Sequence, residues 1–128
     1  MSAPLSVAVV CFPSLGGSGI IATDLAAGLA RRGHRVHVIA SGPPSRTPPP
    51  SGRLFVHEVA VASPPPLQHP PYAIALASTL VDLVGEHGID LLHVHYAIPL
   101  ARSAWIAREM LREQGSDVSV ITTLHGTD

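Results

Sequence analysis

Two groups of residues in this 128-residue chain are of types that do chemistry. The first is the run Pro13-Ser14-Leu15-Gly16-Gly17-Ser18-Gly19. A glycine-rich turn that opens a helix offers free backbone N–H groups and the positive end of the helix dipole, which suits an anion. Gly16, Gly17 and Gly19 lack Cβ atoms, so a phosphate can approach the backbone closely, and Ser18 adds a hydroxyl donor. The alternative is a tight turn that uses glycine only for its φ freedom. A position directly after an apolar strand favours the anion.

The second group is His93, His95 and His125, with Tyr96, Thr123, Thr127 and Asp128 close by. His93 and His95 lie two apart on one predicted strand and so share a face. Three histidines with Asp128 form a metal-ligating combination. The competing reading, favoured for His93, is a histidine that hydrogen-bonds within a buried strand. Tyr96, Thr123, His125 and Thr127 fall at predicted carboxyl ends of strands, around the same crevice as residues 16–19. Converging polar groups there suit a small ligand. Arg102 falls in the first turn of a predicted helix, where the dipole disfavours a cation. It serves either a ligand anion or plain solvation.

The anion can be narrowed. Gly17-Ser18-Gly19-Ile20-Ile21-Ala22 fits the G-x-G-x-x-A dinucleotide fingerprint. Such sites carry an acid near the end of the second strand for the ribose hydroxyls. Here Ser41-Gly42 stands there, and no Asp or Glu lies between Asp24 and Glu58. NAD is disfavoured, while NADP survives through Arg46. A G-x-S-x-G nucleophile elbow is missing, because Ile20 replaces its last glycine.

Apolar β-rich runs and helix-periodic segments must position these groups. Strands are predicted at 5–12, 34–40, 54–61, 90–96 and 118–124. Helices are predicted from the glycine turn to about Arg32, over 72–87, and from Pro99 to about Gln114, with Gly33 and Gly88 as stops. The apolar stripes read as Ile21, Leu25 and Leu29 on the first helix, and Ala73, Leu76, Leu80 and Val84 on the second. Trp105 and Ile106 read as core. The alternation predicts an α/β, Rossmann-like parallel sheet with helices on both faces. Proline-rich stretches at 41–53 and 62–71 read as surface loops. His34, His37, His57, His69 and His87 fall on strand edges, loops or a helix end and read as mostly solvated.

Composition closes other routes. The chain is 46% hydrophobic and 13% charged, with a mean hydropathy of +0.33, too apolar for a disordered segment. Eight basic against nine acidic residues give a net charge of −1, so nothing favours nucleic acid. Every basic residue is Arg, which excludes a P-loop lysine, a Schiff base and a Ser-Lys dyad. A single cysteine, Cys11, excludes an intrachain disulfide and a Cys-rich zinc site. No run approaches the roughly 20 apolar residues of a membrane span. No basic segment precedes residues 5–12, so a cytoplasmic protein is expected.

The block from Cys11 to Ile20 resembles the opening of the retaining family-4 glycosyltransferases. Further matching blocks are His57-Glu58-Val59, Pro70-Pro71-Tyr72 with Leu76-Ala77-Ser78, the run from His93 to Pro99, and Thr122-Thr123-Leu124-His125-Gly126-Thr127-Asp128. The resemblance covers essentially the whole chain. It implies the N-terminal, acceptor-side half of a GT-B fold over 1–128, truncated, with the C-terminal donor-binding domain absent. Within the family it implies transfer of N-acetylglucosamine from UDP-N-acetylglucosamine to L-malate, in bacillithiol biosynthesis, with retention and with neither metal nor cofactor. Residues 16–19 would then meet the donor diphosphate, and His125 would be the catalytic histidine. Ser18, Tyr96 and Thr123 would hold the acceptor, and Thr127 and Asp128 would orient the loop. The stretch 63–69, Ala73 and the proline-rich 43–53 depart from the family pattern. Three readings follow: a UDP-sugar glycosyltransferase half that is inactive alone, an NADP-binding oxidoreductase domain, and a non-enzymatic phosphate- or metal-binding module. An edge position for the fifth strand predicts self-association, or a longer native chain.

Overall fold

A computed structural model describes residues 3–13, 17–42, 52–61, 72–126 and 128. The elements are β1 (Ser6–Val10), α1 (Gly17–Arg31), β2 (Arg35–Ala40), β3 (Leu54–Glu58), α2 (Tyr72–His87), β4 (Leu91–His95), α3 (Arg102–Glu113) and β5 (Ser119–Thr123). All strand pairs are parallel, in the order β3-β2-β1-β4-β5. The chain goes one way from β1 to β2 and β3, then returns to the other side for β4 and β5. That reversal opens a crevice beyond the carboxyl ends of β1 and β4.

The sheet is buried on both faces, which is why its inner strands read as nearly continuous apolar runs. Val7, Val9, Val36, Val38 and Ala40 pack on α1 through Ala22 and Ala26. Ala8, Val10, Ile39, Leu92 and Val94 pack against Leu76, Leu80 and Val84 of α2 and Ala104, Ala107 and Leu111 of α3. Leu76 and Leu80 are fully buried, so truncating either to Ala removes about 2–5 kcal/mol of stability. Between the helices, Ser103 Oγ donates to the Ala73 carbonyl at 3.0 Å.

Both predicted glycine stops have positive φ, +96° at Gly33 and +64° at Gly88. After α1 the His34 N–H returns to the Leu29 carbonyl at 3.2 Å and Gly33 N–H to Ala30 at 3.0 Å, closing the helix with its carbonyls satisfied.

Several expectations need correction. The face of α1 that meets the sheet is Gly19, Ala22, Thr23 and Ala26, with the expected Leu29 packed at its edge, rather than Ile21 and Leu25; Ile21 is 53% exposed. Small side chains let the helix axis come close to the sheet, and Ile21 is rotated outward. Ala73 is exposed on α2, whose buried face is Leu76, Ala77, Leu80, Leu83 and Val84. Trp105 and Ile106 are exposed, because α3 buries Ser103, Ala104, Ala107 and Leu111. Regular helix begins at Arg102 rather than Pro99, since Ile98 is extended (φ −119°, ψ 123°) within an irregular turn over Ala97–Ala101. β3 ends at Glu58, short of 61. Gly16, Thr127, Arg46 and His69 lie outside the described residues, as do 43–51 and 62–71.

Candidate active site

β1 runs out through Cys11 and Phe12 toward the glycine turn, and α1 starts at Gly17 with no acidic residue in its first turn. The first N–H groups of the helix and its positive end are therefore not neutralised from within. Gly17 is exposed, and a Cβ placed on it would meet nothing within 4 Å. Its φ is helical rather than positive, so neither backbone torsion nor the described neighbours demand glycine there. An unobstructed backbone facing open space is what remains. Ser18 is half-buried and Gly19 fully so. Thr23 braces this turn by donating to the Gly19 carbonyl at 3.0 Å.

Beside this turn stand the ends of β4 and β5. Register pairs His93 with Ile121 and His95 with Thr123, and His93 with Val9 of β1, so both histidines face the α1 side. His93 Nε2 hydrogen-bonds Thr123 Oγ1 at 2.7 Å. A neutral imidazole has one proton, so whichever partner donates, the threonine hydroxyl keeps capacity for a ligand. His95 is buried at 1% exposure, and its Nδ1 lies 3.0 Å from His125 Nε2 in a hydrogen bond. Burial first, then the charges of His93 and His125, pulls the His95 pKa down to about 4. It is a neutral brace for the half-buried His125.

Tyr96 completes the constellation. Its ring stacks on His125 at 5.3 Å and 20° and meets the edge of Phe12 at 5.5 Å. That second contact ties β4's end to the exit of β1. The Tyr96 backbone has φ 92°, a region costing a non-glycine residue about 1–3 kcal/mol. Three hydrogen bonds hold it there: Tyr96 N–H to Thr123 O at 3.1 Å, Ala101 N–H to Tyr96 O at 3.2 Å, and Ala97 N–H to Asp128 Oδ2 at 2.9 Å. Asp128 also accepts the N–H groups of His125 at 2.9 Å and Gly126 at 3.1 Å on Oδ1. The Ala97 amide above all, with the others, holds the Asp128 carboxyl below its ordinary range. One carboxylate thus clamps the loop after β4 to the loop after β5.

The structure therefore brings Tyr96, Thr123, His125 and Asp128 together, with Phe12 at the exit of β1 against the Tyr96 ring. Arg102 is exposed at the first position of α3. Cys11 is buried, and burial pushes its thiol up to about 11, which removes it as a nucleophile. Of the alternatives open to these histidines, hydrogen bonding within the strand holds for His93, which bonds Thr123 while His95 bonds His125. Among the described residues, the group whose ligand atoms converge is His37, His57 and His87. His37 is fully buried and His57 partly so, contrary to the solvated reading. Their proximity depends on the β2–β3 register and on where α2 ends, neither of which spacing reveals.

Taken together, a five-stranded parallel sheet covered by helices on both faces and reversing between β1 and β4 defines a doubly wound, Rossmann-like α/β domain. The pattern of Glycosyltransferase Family 4 matches residues 15–128, and the chain belongs to that family. This removes it from the oxidoreductase class that the G-x-G-x-x-A match left open. It is similar to N-acetyl-alpha-D-glucosaminyl L-malate synthase of Bacillus anthracis, 44% identical over 124 residues, covering 97% of this chain and 32% of that protein. The chain thus spans about a third of that relative's length. Its fold also matches a glycosyltransferase crystal structure from Rickettsia africae ESF-5, with a TM-score of 0.60 and 16% identity over 94% of this chain and 30% of the other. No helix among the described residues is long and apolar enough to cross a membrane.

Proposed function

We propose that this chain is the acceptor-side half of a retaining glycosyltransferase that moves N-acetylglucosamine from UDP-N-acetylglucosamine to the hydroxyl of L-malate, in the cytoplasm. The observation that carries the reading is the junction of Tyr96, Thr123 and His125 at the ends of β4 and β5, beside the bare start of α1. Departure of UDP leaves negative charge on the diphosphate. The N–H donors of residues 17–19 at the start of α1 suit that charge, because they need no reorganisation as it develops. His125, braced by His95, Tyr96 and Asp128, stands where it can hydrogen-bond the sugar or the reacting groups. The hydroxyls of Ser18, Tyr96 and Thr123 suit malate's carboxylates, and exposed Arg102 can add a positive charge to that side. Asp128 sets the loop through the amides of Ala97, His125 and Gly126. Nothing in this scheme calls on a metal or a cofactor.

Catalysis then needs groups from both sides of a cleft, so the 128-residue chain alone is inactive. β5 has a neighbour on one side only among the described residues, and Ile121 and Leu124 are 50% and 68% exposed. This supports cover by a further part of the polypeptide or by a second copy.

The test joins residues 1–128 to the remaining two-thirds of the B. anthracis relative and follows N-acetylglucosaminyl malate by mass spectrometry. Product formed by the fusion, and none by 1–128 alone, supports the proposal. A folded fusion that binds the donor but transfers nothing to malate overturns it.

A further inference from the structure

The sheet face away from the crevice histidines carries a second cluster. His37 of β2 is in register with Ala8 and Phe55, and His57 of β3 with Ile39, which puts both on the side covered by α2. That helix ends at His87. Nδ1 of His37 and Nε2 of His57 are 2.8 Å apart. The His87 ring lies 4.6 Å from that of His37 and 5.8 Å from that of His57. One nitrogen from each residue falls within a group spanning no more than 4.8 Å.

His37 is completely buried, and its Nε2 has no hydrogen-bond partner. An ion held by Nδ1 leaves that Nε2 as it is, so the site rests on the convergence of one nitrogen from each of three imidazoles. Burial grades from His37 inward to the exposed His87, so the cluster opens to solvent at one end, where an ion can reach it. Neutral imidazoles are the ligand form, and burial lowers the pKa of both His37 and His57. Glu86 Oε2 lies 3.8 Å from His87 Nε2, which places a carboxylate at the open side.

We propose that His37, His57 and His87 bind a divalent transition-metal ion of the zinc class, which fastens edge strand β3 and β2 to the end of α2. Two zinc–nitrogen bonds of about 2.0–2.1 Å at a tetrahedral angle set nitrogens about 3.3 Å apart. The 2.8 Å pair opens slightly and His87 swings in, a rotamer change at an exposed helix end. Water or Glu86 fills the fourth position. The site is structural and lies on the sheet face opposite the proposed transfer chemistry.

The test uses protein purified without a histidine tag, stripped with EDTA and titrated with ZnCl2 by calorimetry. Expected are one zinc ion per chain at micromolar affinity or tighter, an upward shift of Tm, and tetrahedral d–d absorption on Co2+ substitution. His87→Ala removes a ligand from an exposed position and weakens binding on the order of tenfold or more. His57→Ala does the same where it folds, and His87→Ala decides the matter where it does not. His34→Gln, outside the cluster, keeps wild-type affinity. Absence of stoichiometric binding overturns the proposal. So does affinity that survives His87→Ala, or that falls equally with His34→Gln.

Discussion

The two histidine clusters, on opposite faces of one sheet, are built on the same pair. In each, a fully buried strand histidine uses Nδ1 to bond Nε2 of a more exposed one, His37 to His57 at 2.8 Å and His95 to His125 at 3.0 Å. In each, the buried ring has its Nε2 unpartnered and its pKa drawn down to about 4. What surrounds the pair differs. His125 is met by a tyrosine ring, a threonine at the paired strand end and a carboxylate clamp, all at the carboxyl ends of strands. His57 is met by His87, and Phe55 stacks on His37 at 4.9 Å. Each buried ring also has a third imidazole beside it, His87 at 4.6 Å from His37 and His93 at 4.8 Å from His95. His93, however, gives its Nε2 to the Thr123 hydroxyl, whereas a His87 nitrogen stays within 4.8 Å of the other two ligand atoms. The comparison teaches that a neutral histidine pair is a generic rigid part, and that the partner of the third imidazole decides between an organic ligand and a metal.

The largest expected effect separates the clusters by role. In the fusion enzyme His125→Ala lowers kcat by about a hundredfold or more, the scale for losing a preorganised donor, while its zinc affinity stays at the wild-type value. Steady-state kinetics and zinc titration on one preparation check both halves. Loss of zinc binding on His125→Ala would erase the distinction.

Acid pushes on both clusters together. His37 and His95 have folded pKa values of about 4, below the ordinary 6.5. Above pH 6.5 they are neutral folded or unfolded, and their contribution is fully present. As pH falls from 6.5 toward 4 the unfolded chain takes up protons that the native one refuses, so stability drops, by up to roughly 3 kcal/mol per residue. Urea midpoints across that range should fall steeply, and less so in His37→Gln than in the parent. Zinc should sharpen the contrast: its gain in Tm fades as falling pH protonates the ligating imidazoles. A flat profile in wild-type protein would show that these rings are not held neutral.

How much of this was legible without coordinates follows from the range of each interaction. The bounds of α2 were readable to the residue, because its period and its following Gly88 are local, and three of its core positions, Leu76, Leu80 and Val84, with them. The face of α1 was only partly so: apolarity selects Ile21, Leu25 and Leu29, of which Leu29 packs on the core, whereas close approach to the sheet selects Ala22 and Ala26. The crevice group was legible in outline, since strand ends in such a sheet share one rim. Its bracing by His95 was not, because that bond spans 30 positions; a loop-orienting Asp128 came from the resemblance alone, and its reach to Ala97 spans 31. The His37 cluster was invisible for the same reason, joining residues 20 apart through a register and a third through the length of a helix.

Gly17 divides stability from activity more finely. Alanine there meets open space and favours helix over glycine by up to about 1 kcal/mol, so the Tm of Gly17→Ala holds or rises slightly. Its methyl nonetheless stands over the N–H groups proposed to meet the diphosphate. Transfer by the fusion should fall about tenfold, chiefly through weaker donor binding. Equal donor affinity in variant and parent would move the diphosphate away from this turn.

The smallest effect tests the clamp. Asp128→Asn keeps one carbonyl acceptor for the amides of Ala97, His125 and Gly126, but loses the charge that strengthens those bonds. The carboxyl titrates below its ordinary range, so its contribution is present above that range and is lost only as pH falls through the lowered value; near neutrality the aspartate is fully charged. Removing the charge should therefore act at every pH where the fusion works, raising KM for malate a few-fold with little change in kcat. The reason is geometric: the clamp holds Tyr96 at positive φ, and a relaxed Tyr96 shifts the acceptor hydroxyls without moving His125's partner His95. A fall in kcat at constant KM would mean that Asp128 acts on the reacting atoms through His125, and the clamp would then belong to the chemistry rather than to acceptor placement.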